Sequence, residues 1–310
     1  MVEEPRGAQR AARTRLLLVE DDPEATPMIA ELLGGARTER LLVVQAQRLD
    51  DVAQAVLDSG AGCMLLDLSE HEDDVLAPLR HLRVAAPDVP IIVLSNNPDE
   101  DFGLLALQAG AQDYLIKTEL TPVLLSRAIS YSIERKRSDV ELAYQALHDP
   151  LTGLPNRVLF LDRLGVALHR LRRSHATLTV MFLDVDTFKL TNDSLGHAAG
   201  DSVLVALAQR LQELLRPSDT MARFGGDEFT FLFEDLDRER AAVLIVERLI
   251  RTAARPIRLD GGEASIAVSI GIAIATDPAT EPDDLIRDAD TAMYRAKARG
   301  GSRFELFGDA

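Results

Sequence analysis

The chain has 310 residues and carries 34 lysines and arginines against 50 aspartates and glutamates, a net charge of −16. The acidic surplus runs throughout, −11 over residues 1–147 (14 basic against 25 acidic side chains) and −5 beyond (20 against 25), so neither nucleic acid nor an anionic membrane is expected as a main partner. No uninterrupted apolar stretch of about 18 residues is present, no signal-peptide pattern precedes Leu16, and the length suits two domains of a cytoplasmic protein.

Residues 1–14 mix Arg, Glu, Gly and Ala without apolar periodicity and predict a disordered tail. Over residues 15–121, strand-like runs at Leu16–Val19, Leu41–Val44, Met64–Leu66, Ile91–Leu94 and Tyr114–Ile116 alternate with helical patterns such as Ala25–Leu33, Val52–Leu57, Val75–Leu82 and Phe102–Ala109. Five strands alternating with five helices predict a flavodoxin-like, doubly wound parallel α/β sheet. Cys63, the single cysteine, opens the apolar run Cys63-Met64-Leu65-Leu66 and reads as a small core residue in a reducing compartment.

In such a sheet, functional groups gather at the carboxyl ends of the strands. Glu20-Asp21-Asp22 follow the first strand, Asp67 the third, Ser95 the fourth and Lys117 the fifth. This constellation resembles the receiver domain of response regulators. The resemblance implies that Glu20 and Asp21 hold Mg²⁺ beside Asp67, the phosphoacceptor, while Lys117 and Ser95 contact the phosphoryl oxygens. It also makes Tyr114 the aromatic switch residue and a sensor histidine kinase the phosphoryl donor. Two departures stand out. Leu68-Ser69-Glu70-His71-Glu72-Asp73-Asp74 replaces the apolar-Pro pair and Gly that usually follow the phosphoacceptor, and Asn96 stands where a small residue is usual. Extra carboxylates there oppose an incoming dianion, so a phosphate-independent dimerising scaffold is the alternative.

Residues 122–147 read as one helix. Ile129, Ile133, Lys136, Val140, Ala143 and Leu147 follow a four-three spacing, the seam of a short coiled coil interrupted by Lys136. The expectation is a parallel dimer stalk; the alternative is an amphipathic helix packed on its own domain.

From residue 148 the order helix, strand, helix, hairpin, helix, strands, helix, strand predicts an α/β sandwich around an antiparallel core. Thr177–Leu183 is a buried-strand run ending in Asp184-Val185-Asp186. Arg223-Phe224-Gly225-Gly226-Asp227-Glu228-Phe229 reads as a hairpin whose glycines supply the turn, with two carboxylates at the reversal. Adjacent carboxylates suit a hard cation, Mg²⁺ or Mn²⁺. With Asp149-Pro150-Leu151-Thr152-Gly153-Leu154-Pro155-Asn156-Arg157 before them and Asp290-Thr291-Ala292-Met293-Tyr294-Arg295-Ala296-Lys297 after, these elements resemble the GGDEF family of diguanylate cyclases over essentially all of residues 148–310.

The resemblance implies a palm-like fold and condensation of two GTP molecules to cyclic di-GMP with loss of two pyrophosphates. Asp184, the Val185 carbonyl, Asp227 and Glu228 then form the metal site. Asp227 doubles as base for the ribose hydroxyl, and Lys189 neutralises the triphosphate. Asn192 and Asp201 read guanine, His197 is another substrate contact, and Gly225 and Gly226 leave the backbone open to the nucleotide. Arg216 and Asp219 match a product-inhibition motif, with Arg248 as a helper. Each site holds one GTP, so a homodimer is implied. The competing readings are a non-catalytic module sensing GTP or cyclic di-GMP, and the GGDEF part of a longer bifunctional protein.

Overall fold

The computed structural model describes residues 14–19, 25–34, 39–43, 54–56, 58, 60–68, 74–171, 177–234, 236, 239–259, 262–277 and 279–308. Residues 1–13, Glu20-Asp21-Asp22, and Ser69 to Asp73 of the acidic loop lie outside the described residues. The chain divides into two compact units, Met1–Leu142 and Ala143–Ala310.

In the first unit the elements are β1 (Thr14–Val19), α1 (Ala25–Gly34), β2 (Glu39–Val43), β3 (Cys63–Asp67), α2 (Ala77–Ala85), β4 (Ile91–Ser95), α3 (Glu100–Gln108), β5 (Asp113–Ile116) and most of α4 (Pro122–Leu147), whose residues from Ala143 on belong to the second unit. The strands form one sheet in the order β2-β1-β3-β4-β5, every pair parallel. Successive strand residues point to opposite faces, and both faces are covered. Leu17, Val19, Met64, Leu66, Ile91 and Val93 pack with Leu79 and Leu82 of α2 and Ala106 of α3. Leu16, Leu18, Cys63, Leu65, Ile92 and Leu94 pack with Ile29 and Leu33 of α1 and Leu125 and Ile129 of α4. That is the expected flavodoxin-like arrangement, with helices on both sides of a parallel sheet.

Local chemistry sets where these helices start. Asp99 caps α3 by accepting from Asp101 N at 3.0 Å, and Glu100 and Asp101 complement the positive end of the helix. Thr121 Oγ1 accepts from Leu124 N at 3.2 Å, and Pro122 opens α4 where no intrahelical donor is needed. One expectation is corrected along α4. Ile129 is fully buried in the core of the first unit and Ile133 packs against that core. An apolar helix face buries against the nearest core available, so the seam open to another partner begins at Lys136 and continues through Val140, Ala143 and Leu147.

The second unit contains α5 (Arg157–Leu171), β6 (Leu178–Asp186), α6 (Phe188–Leu195), α7 (His197–Gln212), β7 (Thr220–Gly225), β8 (Glu228–Glu234), α8 (Glu239–Ala253), β9 (Ile257–Leu259), β10 (Gly262–Ala264), β11 (Ala267–Ala275), α9 (Pro282–Ala298) and β12 (Phe304–Leu306). Its main sheet runs β12-β11-β6-β8-β7; only the edge pair β11–β12 is parallel. Met181, Leu183, Phe229, Phe231 and Phe233 face a core shared with α7 and α8. Val180, Phe182, Leu232 and Ala273 face one shared with α5 and α9, where Phe224 also packs. Phe224, three positions along the strand from Met221, thus faces the opposite core and stands edge-on to Phe160 and Phe182. Gly271 of β11 lets α9 lie directly on the strand, because a Cβ there would strike the helix backbone at Ala289 and Met293.

Candidate functional site

Antiparallel pairing builds the acidic centre. Asp184 of β6 pairs with Glu228 of β8 on one side and Ser269 of β11 on the other, and Asp227 opens β8's turn, its carbonyl accepting from Val185 N at 3.3 Å. Like charges directly opposite across strands repel unless something compensates them. Burial first, then the neighbouring Asp227 and Asp186, push the Asp184 carboxyl above its ordinary value despite a hydrogen bond from Lys297. Burial likewise raises Glu228, helped by Asp184, Asp290 and Asp227. Lys297 of α9 places its Nζ 2.6 Å from Asp184 Oδ1. The cluster thus calls for positive charge and already holds one cationic side chain.

Among the described residues no three Asp, Glu, His or Cys side chains converge at coordinating distance. The donors are nevertheless hard oxygens of one site, whose mutual repulsion and burial a divalent cation would reverse, so the residues fit Mg²⁺ or Mn²⁺.

Two contacts hold the end of β6. Asp186 Oδ1 accepts from Ser269 Oγ at 2.6 Å, and Oδ2 from Ser302 N at 2.8 Å in the loop that follows α9. Thr187, at φ 57°, then turns the chain sharply into α6, a left-handed conformation unusual for a β-branched residue.

The hairpin turn is fixed by an arginine within the motif itself. Gly226 takes φ 51°, which suits glycine, and its carbonyl accepts from Arg223 Nε and Nη2 at 2.9 and 2.6 Å. Arg223 Nη1 reaches Asp149 Oδ1 and Oδ2 at 2.9 and 3.0 Å. Burial pushes the Asp149 carboxyl upward, but hydrogen bonds from Thr152 and Arg223 outweigh it and hold the group below its ordinary value. Asn156 continues the clamp, donating from N to Leu147 O and from Nδ2 to Ala146 O, both at 2.8 Å. The end of α4, the loop after it and the turn at Gly226 therefore form one bonded chain. The sequence reading assigned no role to Arg223, Lys297 or Asp186. Paired Arg and Asp far apart in sequence carry no local pattern, and the acid at the third position of Asp184-Val185-Asp186 was hidden behind Asp184.

The residues expected to bind substrate lie on α6 and α7. Lys189 is exposed on the first turn of α6, Asn192 half-buried near its end, and His197 and Asp201 exposed one turn apart on α7. Gly225 and Gly226 are exposed, with open space where a Cβ would stand. Arg216 and Asp219 form a tight turn before β7: Asp219 Oδ2 accepts from Arg216 N at 2.9 Å, and Asp219 N donates to Arg216 O at 3.0 Å. Arg216 is exposed, as is Arg248 on α8.

In the first unit, Asp67 is buried at the end of β3 with Lys117 Nζ 2.5 Å from its Oδ2. Ser95, also buried, accepts from Asn97 N at 3.1 Å, and the Tyr114 hydroxyl donates to Asn97 O. The Tyr114 ring rests on α3 at Gly103, where a Cβ would lie 3.0 Å from its Cδ1, and stands edge-on to Phe102. Ser95 and Tyr114 are thus joined through the backbone of one residue, Asn97. Glu20 and Asp21 lie outside the described residues.

A parallel sheet with a buried Asp–Lys pair at its carboxyl edge, followed by an antiparallel sheet with a cross-strand acidic centre beside a Gly-Gly turn, makes a receiver-like domain followed by a second, antiparallel α/β domain. The family description "Diguanylate cyclase, GGDEF domain" matches residues 146–303, and "Response regulator receiver domain" matches residues 16–129; the chain belongs to the GGDEF family and carries a receiver domain ahead of it. The diguanylate cyclase TpbB of Pseudomonas aeruginosa is 42% identical over 214 residues, covering 68% of this chain and 49% of TpbB. A signalling protein of Caulobacter vibrioides is 32% identical over 296 residues, 89% of this chain and 34% of that one. The chain spans about half the length, or less, of these curated relatives. A solved N-terminally shortened mutant of TpbB from Pseudomonas aeruginosa comprising only its GGDEF domain is 44% identical, with a TM-score of 0.50 over 52% of this chain and 94% of that one. The coiled coil and GGDEF domain of DgcB from Caulobacter crescentus, solved with c-di-GMP, is 28% identical, with a TM-score of 0.53 over 59% and 97%. Among the described residues, no helix is long and apolar enough to cross a membrane.

Proposed function

We propose that this chain is a diguanylate cyclase, condensing two GTP molecules to cyclic di-GMP and two pyrophosphates. The observation that carries the reading is the cross-strand juxtaposition of Asp184 and Glu228, both raised in pKa, beside the open Gly225-Gly226 turn. Asp184, the Val185 carbonyl, Asp227 and Glu228 would hold Mg²⁺ or Mn²⁺. When bound, the cation supplies charge neutralisation and orientation for phosphoryl transfer. Asp227 takes the proton of the attacking ribose 3′ hydroxyl. Lys189 offsets charge on the departing pyrophosphate, and Lys297, already at the acidic centre, is placed to share that task once Asp184 is otherwise neutralised. Asn192 and Asp201 read the guanine edge, His197 adds a substrate contact, and Gly225 and Gly226 admit the phosphates without steric cost.

Two copies of the domain must face each other, because each contributes one GTP. A homodimer is therefore part of the proposal. The exposed Leu104, Leu105 and Leu107 of the receiver and the seam from Lys136 to Leu147 are its apolar contact surfaces. Phosphorylation of Asp67 by a sensor histidine kinase, with Glu20 and Asp21 holding Mg²⁺, would regulate it, and Arg216, Asp219 and Arg248 would bind product and limit synthesis. A cytoplasmic location, where GTP is supplied, belongs to the same reading.

Incubation of the purified protein with GTP and Mg²⁺, with product identified by mass spectrometry, tests the activity. Asp227→Asn should lower turnover at least a thousandfold while the circular dichroism spectrum stays unchanged, because one substitution removes a metal ligand and the base. Binding of cyclic di-GMP without any synthesis would instead mark a sensing module.

A further inference from the structure

Gly200 lies inside α7, in its first turn, with no left-handed backbone to explain a glycine. Glycine is disfavoured at an interior helix position relative to alanine, so its presence there needs another reason. The reason visible is space. Gly200 is buried where α7 packs on α6, and a Cβ built on it would overlap Asn192 Oδ1, come within 3.0 Å of Asn192 Cγ and lie 3.2 Å from Phe188 Cζ. Nothing else stands among its three nearest atoms.

The backbone around this point is fixed. Gly196, at φ 86°, closes α6 by donating to Asn192 O at 2.9 Å and opens α7 by accepting from Gly200 N at 3.1 Å. The corner cannot swing away to make room, because the same residue ends one helix and begins the next. Phe188 is anchored in the core and is 9% exposed. The group that would have to yield to a larger residue at 200 is therefore the Asn192 carboxamide.

We propose that Gly200 is a positioning residue for guanine recognition: by lacking a side chain it leaves the space in which the Asn192 carboxamide lies against α7, one residue from Asp201. This deepens the proposed function and rests on its reading of Asn192 as a base contact. A methyl group at 200 displaces the carboxamide from its place without touching the acidic centre or Lys189, so the defect falls on nucleotide binding and not on the chemical step.

Steady-state kinetics with GTP and Mg²⁺, together with thermal melting, on Gly200→Ala, Asn192→Ala and the double variant test this. Gly200→Ala should raise KM for GTP on the order of tenfold, the scale of one lost hydrogen-bonding partner, with kcat changing less than KM. Its melting midpoint should fall by about 3 °C. In the double variant the midpoint should recover, because the overlapping atoms are gone, and KM should equal that of Asn192→Ala alone, since contacting residues are non-additive. A loss of stability that persists in the double variant overturns the geometry, with Phe188 or the backbone as the obstacle. A normal KM in Gly200→Ala beside a raised one in Asn192→Ala overturns the role of Gly200 and leaves the base reading standing. Normal KM values in both overturn the base reading, and the proposal with it.

Discussion

Glu228 illustrates how a single residue can oppose the fold it serves. Its carboxyl is raised by burial and by Asp184, Asp290 and Asp227, above a starting value of 4.5. A carboxyl whose folded pKa exceeds its unfolded one contributes stability that is fully present below the unfolded value and is lost as pH rises through the folded one. Without divalent cations, Glu228 therefore weakens the second unit as pH rises. Glu228→Gln should raise the melting midpoint in EDTA at pH 7, shrink the midpoint difference between pH 5 and pH 7, and reduce cyclase activity. A variant that melts lower than the parent at pH 7 would mean that the charge is already compensated in the protein. Thr230 makes a comparable case without function: it is fully buried on β8, and its hydroxyl has no hydrogen-bond partner among the described residues. A buried hydroxyl left unpaired costs free energy, so Thr230→Val, of similar shape, should stabilise by about 1 kcal/mol in urea titration. An unchanged or lower midpoint would show that the hydroxyl is satisfied in solution.

The hairpin β7–β8 depends on elements far from it in sequence. Arg223 spends its guanidinium on the Gly226 carbonyl and Asp149, and both ion-pair side chains are largely buried, at 11% and 16% exposure. Removing one member of such a pair strands the other. Asp149→Ala should cost about 3 kcal/mol and free the turn carrying Asp227, lowering kcat more than the stability loss explains at 20 °C. Asp149 is held below its ordinary value, so its contribution is present above the unfolded pKa and lost as pH falls through the folded one. The pH dependence of unfolding between 5 and 3 should thus flatten in the variant, as guanidinium titrations at several pH values would record. Much of this element-level picture was legible beforehand: continuous apolar runs placed β1, β3, β4 and β6, and the Gly-Gly hairpin placed β8 and its turn. The clamp was not, because Asp149 and Arg223 are 74 positions apart and only tertiary pairing brings them together. The α4 seam misled for a related reason. Heptad spacing records that a face is apolar and leaves open what covers it, and Ile129 and Ile133 are covered by their own domain.

At the scale of the whole chain, the receiver would act on the proposed cyclase through Asp67. Asp67 already pairs with Lys117, so a phosphoryl group there would compete for the same ammonium and draw on the Ser95 hydroxyl. Ser95 accepts from Asn97 N while Tyr114 donates to Asn97 O, so a shift of the loop between Ser95 and Asn97 cannot leave the tyrosine unaffected. The Tyr114 ring lies against α3, whose Leu104, Leu105 and Leu107 are exposed, so in the proposed homodimer a local charge change would pass to the surface through which copies pair. Pairing raises the effective concentration at which two cyclase domains meet. Beryllofluoride, an acyl-phosphate mimic, should therefore raise both dimerisation and cyclase rate, with a coupling of about 1–3 kcal/mol, roughly five- to 150-fold. Asp67→Ala should abolish the response while retaining basal activity. The gain should shrink as protein concentration rises, because mass action then assembles the dimer without the mimic. Sedimentation and initial rates across a hundredfold range of protein concentration would record this. Equal rates and equal dimerisation with and without beryllofluoride would make the receiver a fixed scaffold, the outcome that the carboxylates following Asp67 favour by opposing an incoming dianion.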